Sequence, residues 1–219
     1  MFPKVFIHAI KIGRSSNADR LASFYDDVNR QVDEICEQLA RIEELKNGFD
    51  AVGFSQGGQI MRAYVQRCNT PPVRNLITIG AQHQGVMDLP GCLPPDLEDQ
   101  SASVLAQVEF PLEILQSSRD DCGWWQQMVK QNIYADWVQK RIVQAQYFKD
   151  PLRYEEYLQK SRFLADINND HGEKRQEYAD RLKSLNKFVM FMFAKDEQVV
   201  PKESAVLDCP KINQLLMAH

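Results

Sequence analysis

Apolar positions change their spacing several times along the chain, and each change predicts an element. Lys4 to Ile12 is built on the apolar run Val5-Phe6-Ile7 and predicts a strand. From Arg20 to Leu45 the residues Leu21, Phe24, Val28, Val32, Ile35, Leu39 and Ile42 recur at helical steps, which predicts one amphipathic helix. Phe49 to Phe54 predicts a short buried strand, and Gln59 to Arg67 a helix entered through Gly57-Gly58. Asn75 to Gly80 is a continuous apolar run of the kind a parallel sheet buries on both faces. In order these segments read β-α-β-α-β, the pattern of a doubly wound α/β sheet.

The alternation then stops. Residues 86–166 open on the Pro-rich turn Leu93-Pro94-Pro95 and an acidic stretch from Asp96 to Asp99, then read as helical. This stretch holds all three tryptophans, Trp124, Trp125 and Trp137, and predicts a helical cap inserted between strands. The pattern resumes with a helix from Glu173 to Lys187 and the strand Phe188-Val189-Met190-Phe191-Met192-Phe193, which ends at Ala194-Lys195-Asp196. The expectation is one domain over residues 1–219, with a divergent tail at 203–219.

Composition narrows the function. With 219 residues, 44% of them hydrophobic, the chain suffices for one α/β domain with a substantial core. A net charge of −4 gives no electrostatic footprint for nucleic acid, and no basic face for a membrane surface. No apolar run reaches bilayer-spanning length, so no stable membrane insertion is expected. Met1 to Lys4 make no signal peptide, which predicts no route into the secretory pathway for the chain as written. The five cysteines, Cys36, Cys68, Cys92, Cys122 and Cys209, read either as reduced, buried thiols or as two pairs and one odd thiol. Composition alone favours the reduced state.

The chemistry concentrates at Gly53-Phe54-Ser55-Gln56-Gly57, a G-x-S-x-G pattern between a hydrophobic strand and a helix. There a serine occupies a sharp, strained turn that lifts its hydroxyl above the sheet, and Gly53 and Gly57 are expected to keep the crowded flanks small. The backbone N–H of Gln56, at the helix start, is expected to face an oxyanion. In this context the motif predicts an α/β-hydrolase with Ser55 as nucleophile. In that fold the acid and then the histidine follow the serine. Asp196, at the end of the last apolar strand, is the expected acid, ahead of its neighbour Glu197. The histidine is harder to find. His8 and His83 come too early in the order, His171 lies in a polar loop, and only His219, the last residue, follows Asp196. Both His83 and His219 are read as non-catalytic, with Gln82 and His83 near the rim of the site.

Beyond the motif, several short segments add up. They include Gly53 to Gln59, Arg62-Ala63, Gln66-Arg67-Cys68, Pro71-Pro72, Gly80 with Gln82-His83-Gln84-Gly85-Val86, Asp150-Pro151, Phe163 to Asn168 and Lys187 to Met190. Together they make the chain resemble the lysosomal palmitoyl-protein thioesterases, from about Pro3 to about Pro201. The resemblance implies hydrolysis of the thioester between a long-chain fatty acyl group and a protein cysteine, with S-palmitoylated proteins or peptides as partners and long-chain fatty acid as product. It carries Ser55, Asp196 and the Gln56 amide into the roles of nucleophile, acid and oxyanion donor. It implies disulfides Cys36–Cys68 and Cys92–Cys122, a lysosomal or secreted setting, and neither metal nor organic cofactor.

It also implies parts that have no counterpart here. The family's His-Gly loop before the first strand is one, and its Gly-Asp-His motif is another, since nothing from Lys202 to His219 matches it. A fold incomplete at both ends, with turnover impaired by a missing histidine, is therefore expected. Two other functions stay open: a non-catalytic fatty-acyl-binding fragment, and a cytosolic acyl-protein thioesterase or carboxylesterase with the same serine elbow.

Overall fold

The computed structural model describes residues 5–89 and 122–207 of the chain. At its centre is a three-stranded, all-parallel sheet in the order β1-β2-β3, formed by Phe49–Phe54, Val73–Ile79 and Lys187–Phe191. The register aligns Val52, Ile77 and Val189 in one row and Phe54, Ile79 and Phe191 in another. Ala51 with Leu76 and Phe188, and Gly53 with Thr78 and Met190, form the alternate rows. Successive strand residues point to opposite faces, so these rows belong to the two sides of the sheet.

The predicted strand at Lys4 to Ile12 is not borne out, since residues 5–12 carry no strand. Val5, Phe6 and Ile7 are instead exposed. The long predicted helix is also corrected: it is two helices, α1 at Ser16–Ala22 and α2 at Val28–Ala40. Capping chemistry breaks it. Asp27 sits in extended conformation at the α2 N-cap, and its carboxylate accepts the Asn29 N–H at 2.9 Å. Tyr25, between the helices, pairs in an isolated antiparallel bridge with Ile142.

Helix α3, Gln56–Arg67, connects β1 to β2 and lies on one face of the sheet. It begins three residues before its predicted start, directly after Ser55. Its contact with β1 is backbone on backbone: a Cβ added to Gly53 would stand 2.6 Å from Gly57 O and from Gly58 Cα. A Cβ on Gly58 would stand 2.6 Å from Ala81 Cβ. Only glycine permits a helix to approach a strand this closely. Val32, Ile35 and Leu39 of α2 join Ala63, Tyr64 and Val65 of α3 and Leu76 of β2 in the buried core.

The inserted stretch is helical where described: α4 Cys122–Gln131, α5 Asp136–Arg141, α6 Val143–Gln146, α7 Tyr154–Lys160 and α8 Leu164–Ile167. Ile133, Val138, Val143, Phe148, Tyr157 and Phe163 bury their side chains in the same core as the sheet helices. Gln146 bonds both the Val28 N–H, at 2.8 Å, and the Asp26 carbonyl, at 2.6 Å, closing off the start of α2. The part of the insertion after residue 121 thus extends the main core. Helix α9, Gln176–Lys183, leads into β3 and sits beside α3, where Arg181 bonds the Gln66 carbonyl at 2.8 Å.

Candidate active site

Three parallel strands end at the same edge of the sheet, and each is followed by a residue with chemistry to offer. In open α/β sheets ligands bind at the carboxyl ends of the strands. Ser55 follows β1, Gln82 lies just past β2, and Asp196 lies just past β3.

Ser55 stands at φ 48° and ψ −124°, a left-handed conformation that L-residues avoid. The strain is held in place from both sides. Ser55 N–H bonds the Ile79 carbonyl at 2.9 Å, and its own carbonyl accepts from Gly58 N–H at 3.0 Å. The residue is exposed at the turn. Gln56 is the first helical residue, so its N–H has no acceptor within the helix and lies at the positive end of the helix dipole. Gly57 takes a different part from the one expected: among the described residues, a Cβ there meets nothing within 4 Å. Gly53 and Gly58 carry the crowding, and Gly58 lies outside the five-residue pattern.

Gln82 is largely buried, and its Nε2–H donates to Ser55 Oγ at 2.9 Å. Gln59, fully buried on α3, donates in turn to Gln82 Oε1 at 3.4 Å. One turn further along the helix, Arg62 bonds the His83 carbonyl at 3.2 Å and Asn168 Oδ1 at 2.6 Å. Gln66 reaches the Ile167 carbonyl at 2.6 Å, and Arg67 pairs with Asp166 at 2.6 Å. Gln59, Arg62 and Gln66 recur at three- and four-residue steps and form one polar stripe, with Arg67 beside its end. It pins the loop after β2 and the end of α8 to the helix that starts at Ser55. Sequence reasoning missed the stripe; its signal was polar residues at helical spacing inside a helix otherwise destined for the core.

His83 follows Gln82 in sequence but turns away from the edge. Its ring is fully buried, with Nε2 2.9 Å from Thr78 Oγ1 and its edge on the Phe188 ring at 5.6 Å. Burial first, and the Arg62 charge second, hold its pKa well below 6.5, so it is neutral. Burial lowers the Arg62 pKa to about 10, which leaves the guanidinium charged at neutral pH. His8 lies 3.2 Å from Gln38 on the exposed chain start, and His171 shares a polar depression with Arg67, Asp166 and Arg175. His219 lies outside the described residues. Among the described histidines, then, none bonds Ser55.

Asp196 is held by its own turn: Oδ1 accepts the N–H groups of Gln198, at 2.9 Å, and Val199, at 3.0 Å. Its other oxygen lies 3.7 Å from where a Cβ on Gly80 would stand, at the end of β2. Cys36 of α2 and Cys68 at the end of α3 form a disulfide, as the resemblance implied, closing a separation of 32 residues. Of the other implied pair, Cys92 lies outside the described residues. No group of metal-ligating side chains occurs among the described residues, and no described helix is long and apolar enough to cross a membrane.

A serine at a strained strand-to-helix turn, on the C-terminal edge of a parallel sheet with an acid beyond a later strand, is the arrangement of an α/β-hydrolase. The chain belongs to the palmitoyl protein thioesterase family, whose model matches residues 1–215. It is 37% identical over 203 residues to palmitoyl-protein thioesterase 1 of Caenorhabditis elegans, covering 93% of this chain and 60% of that protein. It is 30% identical over 202 residues to palmitoyl-protein thioesterase 3 of Dictyostelium discoideum, covering 92% of this chain and 59% of that protein. The similarity to a Drosophila melanogaster protein named lysosomal thioesterase PPT2 homolog is 25% over 196 residues, covering 86% and 58%. The chain therefore spans about three fifths of the length of these relatives.

Proposed function

We propose that this chain carries the serine of a thioester hydrolase that removes long-chain fatty acyl groups from protein cysteines. The observation that carries the reading is the exposed Ser55 at φ 48°, braced by Ile79 and Gly58 at the mouth of a helix. Family membership and the names of the relatives supply the substrate class.

In this reading Ser55 Oγ attacks the thioester carbonyl carbon. The new C–O bond forms as the carbonyl oxygen takes negative charge beside the Gln56 N–H. The intermediate collapses by breaking the C–S bond, and the cysteine leaves as a thiol with a proton delivered by the base. Water then attacks the acyl-serine, which releases the fatty acid and restores the hydroxyl. Asp196 is the acid that would orient the base, and the apolar insertion would contribute to an acyl groove. The Cys36–Cys68 disulfide and the relative named lysosomal support a lysosomal or secreted setting, against a cytosolic esterase.

A second reading has its own observation. His8 lies beside Gln38, His83 bonds Thr78 and His171 lines a separate polar depression, so no described histidine stands at Ser55, and this favours fatty-acyl binding with little turnover. Loss of one triad member leaves catalysis reduced by about 10⁴-fold or more. The test is release of palmitate from an S-palmitoyl peptide by the wild-type chain and by Ser55→Ala. Turnover abolished by the substitution supports hydrolysis. Saturable binding of a fluorescent fatty acid, with no turnover by either protein, supports the second reading.

A further inference from the structure

A serine hydroxyl has one proton to give and two lone pairs to receive with, and it rotates among three staggered positions unless something fixes it. For attack on a carbonyl, the proton must face a base and one lone pair must face the carbon. Only the second lone pair is available to the protein for fixing the rotor. In this structure that lone pair is taken by Gln82 Nε2, at 2.9 Å.

We infer that Gln82 is a donor to the reacting oxygen and that Gln59 is the positioning residue that aims it. The inference rests on Ser55 being the nucleophile. A carboxamide can turn either its oxygen or its nitrogen to a neighbour, and the hydrogen-bond network decides which. Gln59 donates to Gln82 Oε1, so the opposite end of that carboxamide, the N–H end, faces Ser55. Gln59 holds this orientation although its own buried Oε1 has no partner among the described residues. Turning the Gln59 amide over would leave its nitrogen in place of its oxygen without a partner, so the orphan is present in either orientation and the orientation stands on the contact with Gln82 Oε1. Gln59 is itself anchored on the rigid helix whose first residue follows Ser55, so the aim and the target share one frame.

Two consequences follow for the reaction. In the first half, the Gln82 N–H occupies the lone pair not used in attack and leaves the Ser55 O–H free to pass its proton to the base. In the second half, the acyl-serine C–O bond breaks and Oγ departs with the electron pair. An N–H already pointed at that oxygen stabilises the charge until the proton returns. The amide neither gains nor loses a proton in either step.

The experiment compares wild type with Gln82→Leu, Gln82→Glu and Gln59→Leu, with Ser55→Ala as blank. The readouts are the rate of Ser55 sulfonylation by hexadecanesulfonyl fluoride, followed by mass spectrometry, and kcat and KM on an S-palmitoyl peptide. Gln82→Leu is expected to slow sulfonylation and kcat about five- to tenfold, with KM changed less than about twofold. Gln59→Leu is expected to produce about half that loss on a logarithmic scale. Gln82→Glu is the discriminating variant. Its ionised carboxylate cannot donate, whereas its protonated form can. Its rate relative to wild type should therefore climb as pH falls from about 7 toward about 4.5. A side chain that only packs gives no such recovery.

Thermal melts identify any variant that fails to fold, and Gln82→Glu, which preserves shape, decides the matter if Gln82→Leu does not. Wild-type rates and a wild-type pH profile in folded Gln82→Glu would overturn the inference while leaving Ser55 as nucleophile. Absence of sulfonylation at Ser55 in the wild-type chain would instead overturn the hydrolase reading, and this inference with it.

Discussion

The two faces of the sheet are built from similar residues and have opposite surroundings. On the α3 side, Leu76 and Thr78 are fully buried and Gly53 lies in contact with helix backbone. On the other side Val52, Phe54 and Phe191 stand 54%, 64% and 54% exposed, with nothing among the described residues to cover them. Their apolar character matches that of a strand buried on both faces, which is how the sequence reads. The covered face is thus where this stretch of chain stores its stability. Among the described residues the open face carries a row of exposed apolar side chains.

The largest test of that contrast truncates one large apolar side chain on each side. Leu76→Ala, on the covered face, should cost about 2–5 kcal/mol, while Phe54→Ala, on the open face, should cost under about 1 kcal/mol. Urea unfolding of both variants measures this. Equal losses would mean that the open face is covered in solution.

A second pair probes the helix seat itself. Gly53→Ala forces a Cβ to within 2.6 Å of the backbone of α3 and should destabilise by about 2–3 kcal/mol. Gly57→Ala, where the space is open, should be neutral or should stabilise by up to about 1 kcal/mol through helix propensity. The same denaturation curves separate the two, and similar losses at both glycines would contradict the seating described.

The smallest effect comes from His83, packed behind the covered face. Folded, it stays neutral well below its ordinary 6.5; unfolded, it takes up a proton as pH falls through that value. The unfolded state then binds more protons, so stability is flat above about pH 6.5 and declines below it, by at most about 1.4 kcal/mol per pH unit. His83→Asn should flatten that decline between about pH 6.5 and about pH 5, as read from urea midpoints. An unchanged slope would place the acid sensitivity elsewhere.

Much of this architecture was legible in the residues, because its central strands are apolar runs bounded by glycine and proline. The strands from Phe49, Asn75 and Phe188 were each located within about two residues of their ends, and the serine turn announced itself by its glycines. Val5-Phe6-Ile7 misled because a strand exists only through its neighbours, and an apolar run looks the same with or without them. The single helix from Arg20 to Leu45 misled because the apolar period continues through Phe24 and Val28 while Asp27 caps locally. The site was legible at Ser55 and much less so around it. That Gln82 would reach the hydroxyl while adjacent His83 turned inward depends on which way two successive side chains leave a loop. No periodicity records that choice.

The pairing of Cys36 with Cys68 has a practical reach beyond its own corner of the fold. It fastens α2 to the far end of α3, and at the near end Gln31 of α2 lies 3.4 Å from the Gln56 side chain, next to Ser55. The two ties stand about 18 Å apart along α3 but only about 7.5 Å apart along α2, so they bracket α3 and grip α2 near its middle. A thiol reductant added to keep cysteine-containing substrates soluble would cut one of those ties. Any assay run in dithiothreitol would then examine a looser scaffold than the one that aims the hydroxyl.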